Sequence, residues 1–384
     1  MKVLFLGDLD NDSPSNGGYF YATKSIQSSL QVLKNKKVIS SLTLVSFKNM
    51  KHISHKVKFD YCFIIANPNS VIKELESFKQ VFALCSKVYL HILWETIPLP
   101  STWKSLWDSK HFDGFFTPSR FFQNLIQKET SKPVVYTPYG ISIPKTKIET
   151  SVKNKEDKFT ILVMGQVTKR KGIKDAITGY IRTFSTFKNV SQLLIKSFRL
   201  SKHERNIEDI ISKQYSMNSV PSNNLKIFTL DQNLNREEIL ELYRKSSLLL
   251  MPSRGEGFCL PALEAMSVGL PVIYTNWSNM PEVCNPDNID PASFGADVVN
   301  IPLRYVLDEA IDMIQYNYEI DTKYAVPYMK DIMSTLYFKY DQWVKDKEKY
   351  YTLARGNIDL VDKYFSFEKV SEYYKDILIG NEND

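Results

Sequence analysis

The chain is punctuated by short apolar runs that are hydrophobic on every position rather than on alternate ones. The first is Val3-Leu4-Phe5-Leu6, closed by Gly7 and a polar loop over residues 8–16. Gly17-Gly18 then precede residues 19–33, whose apolar positions recur at helical spacing. Further runs follow at 42–47, 61–66, 88–94, 114–117 and 134–137, with helical stretches at 70–78 and 120–128 between some of them. Strands apolar on both faces and separated by helices predict a parallel sheet covered on both sides.

After Tyr139-Gly140 the texture changes. Residues 141–157 are rich in Lys, Glu, Thr and Ser, bury little, and read as a linker. A second unit opens with the run 159–164, Gly165, a basic loop and a helix over 173–187, repeating the opening theme. Strands are expected at 192–195, 225–229, 248–251 and 272–274, and helices at 204–213, 236–245 and 261–267. The tail reads as helical at 308–316, 329–337 and 367–378, with 381–384 frayed. The fold class is therefore α/β, with two halves joined near residue 145. The domains are 1–145, 158–360 and a tail, 361–384, that returns toward the first domain. Ligands of open α/β sheets bind beyond the carboxyl ends of the strands, which directs attention to the loops there and to a cleft between the halves.

Composition adds limits. A length of 384 residues exceeds one ordinary core, and 43% apolar with 24% charged residues is the balance of a folded globular chain. The four cysteines, Cys62, Cys85, Cys259 and Cys284, are scattered without a CxxC pair, which argues against a disulfide scaffold or structural zinc and for a reducing compartment. The start MKVLFLGDLD is too short in apolar residues for a signal peptide, and no window reaches the length of a membrane span. A cytoplasmic protein is expected.

Charge is uneven: residues 1–140 hold 17 Lys/Arg against 10 Asp/Glu, the remainder 32 against 33. Seven lysines between Lys34 and Lys58 have no acid among them. Such a face attracts an anionic partner, including the cytoplasmic surface of an acidic membrane, although it also serves as a solvated surface. No aromatic-interleaved basic motif accompanies it, so nucleic acid is not the expected partner.

The richest stretch is LLLMPSRGEGFCLPALEAMSVGLPVIYTNWSNMPE, residues 248–282. A buried strand leads into a glycine-containing turn, then a helix opened by Pro261, which suits a first helical turn. Amides of Phe258, Cys259 and Leu260 at such a helix start can face an anion. Glu256 precedes the helix and Glu264 lies about one turn inside it, able to reach different parts of one extended ligand. The plainer alternative is a loop acid and a capping acid.

The spacing Glu256-x7-Glu264 within GEGFCLPALEAMSVGLPVI resembles the signature of retaining glycosyltransferases of the GT-B fold, family 4, also called glycosyl transferases group 1. Gly17-Gly18, Trp94-Glu95-Thr96, Phe112-Asp113, Pro118-Ser119-Arg120-Phe121, Pro138-Tyr139-Gly140-Ile141, Gly165 with Lys171-Gly172, and Phe365-Ser366-Phe367 agree in family order. The resemblance implies two Rossmann-like domains facing each other across a cleft. It implies transfer of a sugar from a UDP- or GDP-sugar to a glycan, lipid-linked or protein-linked acceptor, with retained configuration and no metal or other cofactor. The alternative is a non-catalytic GT-B-like carbohydrate or nucleotide binder.

By the same resemblance Glu264 binds ribose hydroxyls, Glu256 the donor sugar and Lys171 the diphosphate. A departing nucleoside diphosphate needs such positive charge. Gly257, Phe258, Cys259, Leu260, Gly165, Lys169, Arg170, Gly17 and Gly18 join the donor side. His91 is placed near the donor sugar, with Asp8, Trp94, Glu95 and Ser119 on the acceptor side. The sequence departs from the family pattern in three ways, one of them the absence of several strand-end glycines expected near Ser197. Gln166 stands where the family has Arg, leaving Lys169 or Arg170 to supply the charge, and Tyr139 replaces a small polar residue.

Overall fold

The computed structural model describes residues 1–9, 18–144, 158–187, 189–198, 206–221, 225–287, 298–311, 319 and 321–380. They divide into two units. The first comprises Met1–Trp94, Pro98–Ser142 and the chain from Lys363 onward; the second comprises Glu95–Ile97 and Ile143–Asp362.

In chain order the first unit contains β1 (Lys2–Gly7), α1 (Gly18–Asn35), β2 (Ser41–Ser46), β3 (Phe59–Ile64), α2 (Pro68–Lys73), α3 (Lys79–Leu84), β4 (Cys85–His91), α4 (Lys104–Trp107), β5 (Gly114–Thr117), α5 (Arg120–Gln127) and β6 (Val134–Tyr136). The strands form one parallel sheet in the order β2-β1-β3-β4-β5-β6. Val3 to Leu6 are wholly buried, as a central strand covered on both faces requires. The helix expected over 70–78 is instead α2 followed by a 3-10 turn, Leu75–Phe78, because Glu74 leaves helical geometry with φ −111° and ψ 20°. The strand expected over 88–94 ends at His91.

The second unit continues with β7 (Phe159–Gln166), α6 (Ile173–Phe184), β8 (Ser191–Phe198), α7 (Ile207–Met217), β9 (Lys226–Leu230), α8 (Arg236–Lys245), β10 (Leu248–Met251), α9 (Leu260–Ser267), β11 (Val272–Thr275), α10 (Met280–Cys284), β12 (Ile301–Leu303), β13 (Tyr305–Glu309), β14 (Lys323–Pro327), α11 (Met329–Lys345) and α12 (Lys347–Phe365). Its parallel sheet runs β12-β11-β10-β7-β8-β9. The chain winds outward from β7 through β9, then crosses to β10 and winds the other way. Adjacent β7 and β10 thus mark the switch point, beyond whose carboxyl edge ligands of such sheets bind. A capping box fixes the start of α8: Asn235 accepts from Glu238 N, and Glu238 accepts from Asn235 N.

The helix expected over 308–316 is not seen at its start. Asp308 and Glu309 lie on β13, which pairs antiparallel with β14, Val306 opposite Val326. Cross-strand pairing overrides a weak local helical pattern. The long helix α12 was not expected. It buries Tyr350, Tyr351, Ala354, Val361 and Phe365 on one side. The last residues of α12, from Lys363, and α13 (Phe367–Ile379) belong to the first unit, where Tyr61 Oη donates to Leu378 O at 2.9 Å and Ile141 bridges Ser366. Expectations for residues 10–17, 145–157, 204–205, 312–316 and 381–384 fall outside the described residues.

Candidate functional site

At the switch point two loops meet main chain to main chain. The loop after β7 turns at Gly165, φ +151°, and at Gly172, φ +67°. A Cβ on Gly172 would lie 2.1 Å from Pro252 O, so only glycine fits. Arg254 N donates to Arg170 O at 2.6 Å, joining the same two loops. Arg254 is itself anchored, donating to Asp175 Oδ2 at 2.7 Å and to Tyr324 Oη at 3.1 Å.

This contact sets Lys171 opposite Glu256. The Lys171 ammonium is 2.6 Å from Glu256 Oε1 and 2.9 Å from Oε2. Ser253 Oγ donates to Oε1 at 2.5 Å, and Arg170 Nη1 stands 3.6 Å from Oε2 while donating to Gly255 O at 2.7 Å. Ser278, a non-glycine residue at φ +54°, accepts from Glu256 N at 3.2 Å and donates to Glu256 O at 3.1 Å with one hydroxyl. Burial alone would raise the pKa of Glu256, but Lys171, Arg170 and Ser253 outweigh it and hold the carboxyl below its ordinary range. Glu256 is thus a buried anion with two cations against it.

Of the two basic residues considered for the charge that Gln166 lacks, Arg170 joins this cluster and Lys169 is exposed. Glu95 belongs to the second unit as well: its Oε1 lies 3.7 Å from Arg170 Nη2, and Ile97 pairs with Lys323.

Glu256, Gly257, Phe258, Cys259 and Leu260 lead directly into α9. Cys259 occupies the N-cap position, and burial pushes its thiol up to about 12, leaving it an inert apolar group. The Leu260 amide donates to Phe258 O at 3.1 Å. Glu264 is one turn in. Burial raises its pKa, against the pull of Arg236 at 3.8 Å and of Tyr243, whose hydroxyl donates to Oε2 at 3.2 Å. Ser253, Ser278, Tyr243 and Arg236 were missed in the sequence. Ser253 adjoins the Glu256 turn and could have been found, whereas nothing local marks Ser278 or pairs Tyr243 with Glu264.

The remaining predicted residues lie in the first unit, apart from Gly17, which is outside the described residues. His91 ends β4 and is wholly buried, its Nε2 2.9 Å from Tyr139 Oη and its Nδ1 without a hydrogen-bond partner among the described residues. Burial pushes its pKa down to about 3, so the ring is neutral. Trp94 is buried, donating from Nε1 to Pro98 O at 3.4 Å. Ser119 caps α5 by accepting from Phe122 N at 3.4 Å. Asp8 follows β1 half-buried, and Gly18 is the first residue of α1. Among the described residues no group of three or more His, Cys, Asp or Glu is placed to hold a metal ion.

Comparison with known proteins agrees with the fold of two parallel sheets. Residues 144–291 match the family described as glycosyl transferases group 1. Over 114 residues, 30% of this chain, the sequence is 31% identical to the serotype-specific mannosyltransferase WbdA of Escherichia coli. The chain spans 13% of that relative's length. Among solved structures, Anabaena Alr3699/HepE in complex with UDP and glucose matches with TM-score 0.64 at 13% identity, covering 98% of this chain and 99% of the other. The lipopolysaccharide outer core galactosyltransferase WaaB matches with TM-score 0.60 at 14% identity, covering 98% of each. Residues 144–291 therefore resemble the glycosyl transferases group 1 family, and by its pair of parallel sheets the chain has the GT-B fold.

Proposed function

We propose that the chain is an enzyme that transfers a sugar from a UDP- or GDP-sugar to a glycan, lipid-linked or protein-linked acceptor, with retained anomeric configuration and without a metal. The observation that carries this reading is the part-buried Lys171–Glu256 pair beyond the β7/β10 switch point, with Glu264 one turn into the adjoining helix. Glu256, ionised and fixed, accepts hydrogen bonds from donor-sugar hydroxyls. Glu264 accepts them from the ribose. Lys171 and Arg170 meet the diphosphate and offset the charge that grows as it leaves.

The bond from the anomeric carbon to the phosphate oxygen breaks, and the bond to the acceptor oxygen forms on the same face. The acceptor's proton passes to the departing phosphate oxygen. No covalent nucleophile is assigned to Glu256, whose carboxylate is already occupied by Lys171, Ser253 and Arg170. His91 and Tyr139, with Asp8, Trp94, Glu95 and Ser119, are assigned to the sugar and acceptor side, and Gly17-Gly18 to the donor side. The test is a thermal-shift screen of UDP-, GDP- and ADP-sugars, followed by donor turnover with and without EDTA. One donor class should bind and turn over unaffected by EDTA. An absolute requirement for Mn²⁺ or Mg²⁺ would end the metal-free reading, and binding without turnover on any acceptor would favour the non-catalytic binder.

The seven lysines between Lys34 and Lys58 are all exposed, and no described helix is long and apolar enough to cross a membrane. These lysines support peripheral contact with the anionic cytoplasmic face of a membrane, in a cytoplasmic protein that does not engage nucleic acid. Flotation should therefore favour anionic over neutral vesicles and weaken with salt. Equal flotation with both removes the contact.

A further inference from the structure

Glu264 sits in surroundings that oppose its ionisation, and the groups that offset this come from the neighbouring helix α8. Tyr243, in the last turn of α8, is wholly buried. Its hydroxyl donates to Glu264 Oε2 at 3.2 Å and stands 3.2 Å from Met164 Sδ on β7. Arg236, at the other end of α8, places Nη1 3.8 Å from Glu264 Oε1, with about half its side chain exposed to solvent screening.

The phenol hydroxyl is not required to fill this space, since a phenyl ring makes the same apolar contacts. A buried hydroxyl is unfavourable unless bonded, and here the charged acceptor is Glu264. Tyr243 is also fixed as a donor: burial, then the neighbouring Glu264 charge, keeps its pKa well above the ordinary tyrosine range, so the proton stays on the phenol.

We propose that Tyr243 is a positioning residue that holds the Glu264 carboxylate in one orientation and in its ionised form, ready to accept hydrogen bonds from the ribose of a donor nucleotide. The proposal rests on the reading of Glu264 as a donor-binding residue. Tyr243 touches no substrate and acts through Glu264.

The titratable groups facing Glu264 are Arg236 and Tyr243 from α8 and Cys259 from the head of its own helix, whose buried thiol is neutral. Donor binding by the ionised acid is complete above the Glu264 pKa and is lost as pH falls through it. Removing the phenol donor raises that pKa further. The acidic limb of binding therefore moves to higher pH in Tyr243→Phe.

The test is calorimetric titration of the full chain with UDP-glucose and GDP-mannose across acid to neutral pH, for wild type, Tyr243→Phe, Glu264→Gln and the double variant. Tyr243→Phe should bind about tenfold more weakly, the order expected for a lost hydrogen bond to a charged group. The gap should widen as pH falls, with kcat at saturating donor near wild type. In the Glu264→Gln background the phenol's removal should change the pH profile no further. Identical affinity–pH profiles for wild type and Tyr243→Phe overturn the proposal and leave the donor reading standing. A wild type that binds neither nucleotide sugar overturns both. Should Tyr243→Phe fail to fold, Met164→Leu carries the test: it removes the competing sulfur and keeps the Glu264 bond, so affinity holds or rises. A loss of affinity in that variant overturns the proposal.

Discussion

His91 ends β4 of the first sheet and Glu256 follows β10 of the second, and both are wholly or almost wholly buried. Burial has driven them to opposite outcomes. Around His91 stand rings, Tyr19, Phe116 and Tyr139, and the imidazole gives up its charge. Around Glu256 stand Lys171 and Arg170, and the carboxylate keeps its charge. A buried ionisable group stays charged only where opposite charge and hydrogen bonds offset its lost hydration. The second unit therefore holds a buried ion cluster, and the first a neutral, aromatic environment at a strand end.

Removing the cation should break this contrast most sharply. Lys171→Ala strands a buried carboxylate, costing about 3 to 5 kcal/mol in denaturant unfolding. Donor turnover should fall by about 10²- to 10³-fold. Unchanged kcat would take Lys171 out of the proposed chemistry.

The first unit responds instead through acid. The pKa of His91 lies near 3 in the folded chain against an ordinary 6.5, so over that window the unfolded state binds a proton that the folded state does not. Its contribution is complete above the unfolded value and is lost as pH falls through the window, at about 1.4 kcal/mol per pH unit. Unfolding of His91→Gln measured against pH should lose this slope. Glu256, with its folded pKa depressed, adds its own loss only at pH values below the unfolded carboxylate range. A wild-type stability that does not change between neutral pH and pH near 5 would show that His91 is not sealed.

Smaller effects sharpen the comparison. Gly172→Ala combines a positive φ with a clash against Pro252 O, and should cost about 2 kcal/mol, read as a fall in melting temperature. It should also slow donor turnover, because Lys171 is the adjacent residue. Least affected should be Lys36→Ala, which removes the exposed ion pair to Glu372 at 2.9 Å. Its change should stay below about 1 kcal/mol and shrink further in salt.

How much of this was legible before the structure differs by residue. The strand Leu248–Met251 and helix Arg236–Lys245 match the reading of apolar runs and helical spacing at both ends, because their boundaries carry strong local signals, such as the Asn235–Glu238 capping box. The segment from Glu256 to Glu264 was legible as a polar turn feeding a helix. Arg170 rather than Lys169 could not be chosen from order alone, since the turn closed by Gly172 decides which side chain faces inward. β13 depends on a partner strand beginning fourteen residues beyond its last residue, and α12 has an apolar stripe broken by lysines and acids. Ser278 shows no sequence cue, because its hydroxyl meets the Glu256 backbone from twenty-two residues away. Tyr243 reads as core from its spacing, but the reach of its hydroxyl to Glu264 is a tertiary fact.

The contact between Gly172 and Pro252 has one more consequence. With no room for even a methyl group between the two turns, the ammonium and the acid that they carry cannot drift independently. On the proposed reading, an incoming anion would meet charges already at rest, and little of its binding energy would be lost in disciplining loose chain.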